Sequence, residues 1–156
     1  PAQCTLVPDA PDQRTSDHGW DLSLDGPRLR PIIADLRDRG IRVSLFMDPD
    51  PTTVGAAAGV GADRIEIYTE PYAEAFGTIN QEAMTEACAA CADEAERAGL
   101  GVNAGHDLNC ENLPTLCHRV SNLLEVSIGH ALIADALEFG LHATVKAYLE
   151  ALTPGH

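Results

Sequence analysis

Three places in the chain carry residue types suited to proton transfer or anion binding. The run Leu100-Gly101-Val102 is followed by "NAGHDLN" (103–109), which sets His106 directly after a glycine at the end of an apolar stretch. A small neighbour lets a ligand approach the backbone, and an imidazole exchanges protons near neutral pH. The plainer reading is a loop histidine hydrogen-bonded to Asp107. In "SIGHALIADAL", Gly129-His130 stands where an extended run turns into a helical one. There the free backbone N–H groups and the positive end of the helix suit a phosphate or carboxylate, although an ordinary tight turn would look the same. Glu66 is the centre of "RIEIYT", flanked by Ile65 and Ile67. Alternation puts its carboxylate on the face opposite the isoleucines, where desolvation is costly unless the group is paired, for instance with Arg64, or takes part in chemistry.

The elements that must position these residues follow from periodicity. Residues 3–7, 41–47, 64–69, 101–105 and 123–128 read as short strands, and helical patterns follow at about 28–39, 50–59, 80–98, 110–118 and 131–152. Arg39-Gly40, Gly59-Val60-Gly61 and Ala98-Gly99 are helix stop signals, while Pro27 and Pro31 argue for a late start to the first helix. Strand and helix alternate with short helix-to-strand connections, so the chain is α/β with consecutive right-handed βαβ units and a parallel sheet. No G-x-G-x-x-G follows a strand, which weakens the dinucleotide-binding open sheet against a barrel. Polar and His-bearing segments concentrate after the strands, at the sheet face where barrels and open sheets bind ligands. The stretch from Pro8 to Leu22, holding Thr15, Ser16, Asp17, His18 and Trp20, is longer than an ordinary βα loop and reads as a candidate lid.

Composition narrows the class. The 156 residues carry a formal net charge of −14 with only ten Lys and Arg, which argues against nucleic acid and requires any anionic ligand to be held by local geometry. No stretch approaches the roughly 20 apolar residues of a membrane-spanning helix, and no secretory leader opens the chain, so a soluble, cytoplasmic protein is expected, with no membrane partner. Five cysteines are an odd number for a disulfide framework. Cys88-x-x-Cys91, with Cys110, Cys117 or His118, invites a zinc reading, but the alanine-rich "NQEAMTEACAACADEAERAG" favours the packed face of a helix.

Taken in order, "TLVPD...TSDHGWD", "VSLFMDPDP", "GADRIEIYTEPYA", "GVNAGHDLN" and "VSIGHALIADAL" resemble the pyridoxine 5′-phosphate synthase family, from about residue 3 to about residue 150. The resemblance implies a (β/α)8 TIM barrel of which residues 1–156 form a single domain, a partial barrel with the fourth to eighth strand-helix units. A whole barrel of this type takes ~250 residues. It implies an enzyme, a transferase of vitamin B6 biosynthesis, that joins 3-amino-1-hydroxyacetone 1-phosphate to 1-deoxy-D-xylulose 5-phosphate and releases phosphate and water. No metal or organic cofactor takes part, and the family forms homo-oligomers, as homo-octamers. By the same resemblance His106 is the proton donor and Glu66 steadies the transition state. Thr15 contacts deoxyxylulose phosphate from the lid, and Asp107, Gly129 and His130 hold the aminoacetone phosphate. Asp107 stands where some relatives have Gly, which implies a backbone contact. The general bases carried by the family's first three strands have no counterpart here, so the chain alone is expected to be inactive and prone to associate.

Three other readings compete. A non-catalytic phosphate-binding or assembly module would keep the anion site at Gly129-His130 without turnover. Another sugar-phosphate barrel enzyme is favoured if Glu66 and His106 point apart. A zinc module built on the cysteines is the third.

Overall fold

The computed structural model describes residues 1–153. Five strands, β1 (Gln3–Leu6), β2 (Arg42–Met47), β3 (Arg64–Tyr68), β4 (Gly101–Gly105) and β5 (Leu123–Ser127), form one sheet in sequence order with every pairing parallel. Helices α1 (Leu22–Asp38), α2 (Pro51–Val54), α3 (Ala56–Val60), α4 (Glu70–Ala75), α5 (Gln81–Arg97), α6 (Leu113–Arg119), α7 (His130–Phe139) and α8 (Leu141–Ala151) flank it. The sheet is curled, a partial (β/α)8 barrel: Gln3 on the first strand and Glu125 on the last share a hydrogen bond of 2.9 Å.

Alternation along the strands divides the chemistry between the two faces. Val43, Leu45, Met47, Ile65, Ile67, Val102 and Ala104 belong to the hydrophobic core beneath the helices, all at most 1% exposed. The intervening residues, among them Thr5, Ser44, Glu66, Asn103 and Ser127, line the concave interior. Helix α5 closes the outer layer through Thr85, Cys88, Ala89, Cys91, Ala92 and Ala95, the small buried face of an amphipathic helix. Both its cysteines are 0% exposed, and burial pushes each thiol up to about 12, so neither readily forms the thiolate that zinc requires. All five cysteines are free.

Helix boundaries depart from expectation where capping outweighs proline. Helix α1 begins at Leu22, not near residue 28, because the Asp21 side chain accepts the Ser23 N–H as an N-cap. Pro27 and Pro31 lie inside it, four residues apart on the exposed face. The helical stretch 131–152 is two helices. Gly140, at φ 82°, breaks it in a conformation an L side chain rarely adopts. The stretch 50–59 is likewise divided, at Gly55. Among the described residues no helix is long and apolar enough to cross a membrane.

Candidate active site

Glu66 lies in mid-strand on β3 and points into the interior. It is 7% exposed, and its Oε2 accepts a 2.9 Å hydrogen bond from Thr5 Oγ1 on β1. Burial raises its carboxyl above the ordinary value; hydrogen bonds from Thr5 and Ser127 pull it down, the Glu125 charge pushes it up again, and His106 pulls it down. Arg64 is not its partner, since it pairs with Glu125 at 2.8 Å. Thr5, Glu66 and Ser127 come from β1, β3 and β5, and alternate strands supply one layer of side chains in a barrel interior. Gly105, at the end of β4, leaves room for the carboxylate: a Cβ there would collide with Glu66 Oε1.

His106 follows immediately. It adopts φ 97° and Asp107 φ 56°, both unusual for residues with a Cβ. Thr69, fully buried at the end of β3, holds this turn, its hydroxyl donating to the His106 carbonyl at 2.6 Å while its N–H bonds Gly105 O at 3.0 Å. The Asn112 side chain donates to the Asp107 carbonyl at 3.1 Å. The result turns the imidazole inward, edge-on to Tyr68 at 5.3 Å between ring centroids and 6.3 Å from Phe46. The expected alternative, a hydrogen bond to Asp107, is absent: His106 Nδ1 lies 3.5 Å from Asp107 Oδ2, buried and without a hydrogen-bond partner, while Nε2 is 2.8 Å from Thr15 Oγ1.

Thr15 belongs to the long connection between β1 and α1, so the segment read as a lid lies over the histidine. The connection is anchored at its far end, where Trp20 Nε1 donates to Leu6 O at 2.8 Å and Gly19 N to Asp48 Oδ1 at 2.9 Å. Beside it, Gly129 is the N-cap of α7 and His130 its first residue. The cavity these groups enclose measures about 850 Å3, and Glu66, His106, Asp107, Ser127, Gly129 and His130 all line it. Glu66 and His106 therefore face one space, which removes the condition that favoured another barrel enzyme. Glu70, His106 and Asp107 also place ligand atoms within 4.8 Å of one another, a spacing a metal ion could span.

Sequence reasoning pointed to Glu66, His106, Asp107, Gly129 and His130, which line this cavity, and to Thr15, which meets His106 without lining it. It missed Thr5, Thr69, Ser127 and the aromatic pair Phe46 and Tyr68, whose ring centroids lie 5.2 Å apart. Thr5 was legible only as a polar residue inside a strand. Its partner is 61 residues away, and nothing local announces the pairing.

The family model described as "Pyridoxal phosphate biosynthesis protein PdxJ" matches residues 1–154. Proteins named pyridoxine 5′-phosphate synthase from Albidiferax ferrireducens, Mesorhizobium japonicum and Xanthomonas campestris pv. campestris are 56%, 51% and 50% identical over 98%, 97% and 99% of this chain. The chain spans only 61%, 62% and 60% of their respective lengths. A crystal structure of the HMG-CoA lyase from Brucella melitensis superposes with a TM-score of 0.53 at 23% identity, covering 83% of this chain and 50% of that one, a likeness of fold alone.

Proposed function

The chain belongs to the PdxJ family of pyridoxal phosphate biosynthesis proteins, and from that membership we propose that it supplies the C-terminal part of a pyridoxine 5′-phosphate synthase. The reaction is the condensation of 3-amino-1-hydroxyacetone 1-phosphate with 1-deoxy-D-xylulose 5-phosphate. The observation that carries the reading is the meeting of Glu66, His106 and the start of α7 on one cavity.

Imine formation and ring closure move protons on and off nitrogen and oxygen. His106 is the donor, held inward by Thr69, Tyr68 and Phe46, with Nε2 against Thr15 of the long β1–α1 connection. Glu66 carries a carboxyl whose pKa lies above the usual range because it is buried, which brings it closer to the pH at which proton exchange is efficient. Its remaining charge steadies positive charge developing on the condensing nitrogen. The free N–H groups at Gly129-His130 hold the aminoacetone phosphate against the overall charge of −14, and Asp107 contributes through its backbone. Thr15 meets deoxyxylulose phosphate once that substrate displaces it from His106. No cofactor is required.

The domain reading is part of the same proposal. Residues 1–156 form one partial-barrel domain that further strand-helix units complete. Leu124 on the edge strand β5 and Leu137 on α7 are 57% and 86% exposed, and α7 has no buried residue at all. Edge strands and apolar surfaces of this kind normally lie beneath neighbouring elements. A homo-oligomer of the completed barrel follows from the family resemblance.

The test joins this chain to the N-terminal strand-helix units of the Albidiferax ferrireducens relative and measures pyridoxine 5′-phosphate formation. Turnover that disappears in His106→Asn and Glu66→Gln is the expected result. A folded, phosphate-binding chimaera without turnover would instead establish a binding module.

A further inference from the structure

A second cavity, of about 690 Å3, lies on the other side of α7, between the α7–α8 pair and the connection from β4 to α6. It shares Ala131, in the first turn of α7, with the catalytic cavity, so one helical turn separates the two. Its volume falls in the range of small-molecule sites, roughly 300–1,000 Å3. Ala131, Ala143 and Ala147 leave the space unfilled, and Phe139 offers an aromatic face.

The polar groups on its wall share one character. Thr144 is 3% exposed, and among the described residues its buried Oγ1 has no hydrogen-bond partner, an uncommon state for an interior hydroxyl. Tyr148, 4% exposed, donates its hydroxyl to Asp135 Oδ2 at 2.7 Å. Burial and the Asp135 carboxylate raise the Tyr148 phenol, and burial followed by the Asp135 charge raises the Cys110 thiol, so both stay protonated at neutral pH. Asp135 and Glu111 are the two acidic residues on the lining, and no Lys, Arg or His is among the lining residues. Such a wall repels phosphate esters and attracts a proton-rich head on an apolar body.

We infer that this cavity is a binding site, separate from the catalytic one, for a small non-phosphorylated amine: a protonated amino group meets Asp135 and Glu111, a ring packs against Phe139 and the alanines, and Thr144 hydrogen-bonds the ligand. Primary aliphatic amines attached to a ring fit both the charge and the volume. The inference does not depend on the proposed synthase activity, because none of these groups is assigned a role in that reaction.

Titration of the chain with 2-phenylethylamine, followed by calorimetry and ligand-observed NMR, tests it. Saturable binding is expected, weakened about tenfold or more by Ala147→Trp, which fills the space from an exposed helix position, and more modestly by Asp135→Asn and Thr144→Val. Circular dichroism verifies that the Trp variant is folded, and the two smaller substitutions serve if it is not. Phenyl phosphate, of similar size but opposite charge, should show no binding sensitive to these substitutions. The inference is overturned if 2-phenylethylamine fails to saturate by ~10 mM, if its affinity is indifferent to all the substitutions that fold, or if phenyl phosphate competes for the same site.

Discussion

The two ends of the concave interior are built from the same five strands and could hardly differ more. At the N-terminal end Gln3, Arg42, Arg64, Asn103 and Glu125, one from each strand, form a closed network. Glu125 accepts from Gln3 at 2.9 Å and pairs with Arg64 at 2.8 Å and Arg42 at 3.4 Å, and Arg64 also donates to Asn103 at 2.9 Å. Every charge there has a partner. Nearer the C-terminal end, among the described residues, Glu66 has hydroxyls for partners and no cation within ion-pair distance, His106 Nδ1 has no hydrogen-bond partner, and two successive residues hold positive φ. Saturated polar groups hold a shape, whereas unsatisfied or strained ones persist only when surrounding structure enforces them, and they gather where ligands bind. On a parallel barrel the strand C-termini are also the face of the active site.

Substitution should separate the two ends by what is lost. In a completed barrel, His106→Asn and Glu66→Gln should each lower kcat by roughly 10²–10⁴-fold, measured by steady-state product formation, while the fold is retained. A comparable loss from Arg42→Ala would erase the contrast. Glu125→Ala should act mainly on stability. It leaves Arg64, whose side chain is 15% exposed, without its carboxylate, a loss of about 1–3 kcal/mol in urea unfolding.

Gly105→Ala bridges the two kinds of effect. The added methyl would displace the Glu66 carboxylate, so a stability loss of about 1–3 kcal/mol should accompany reduced turnover. A variant of normal activity would show that Glu66 need not sit where it does.

The smallest expected effect is one of pH. Because the folded-state pKa of Glu66 is raised, its neutral form is the one the fold tolerates best. Its contribution to stability is fully present below the unfolded-state value and is lost as pH rises through the folded one. Glu66→Gln should therefore gain stability over the wild type at neutral pH, with the gain vanishing in acid below about 4.5, as read from unfolding midpoints across that range. A gain that persists unchanged in acid would mean the carboxylate is not strained by burial.

Much of this contrast was legible in the chain. Glu66 between two isoleucines had to face away from the core, His106 and Gly129-His130 had to stand where strands end, and the order of strands and helices required a parallel sheet. These are local facts, set by a two-residue alternation and by turn chemistry that each short segment carries with it. What the neighbours of those residues would be was not local. The curl of the sheet, a collective product of strand twist and packing, brings Thr5 onto Glu66, Glu125 onto Gln3 and Thr15 onto His106, across separations of 61, 122 and 91 residues. Alternation assigns a side chain to a face of the sheet. Only the closing of that face decides whether a carboxylate there is neutralised, as Glu125 is, or left buried without a cation, as Glu66 is.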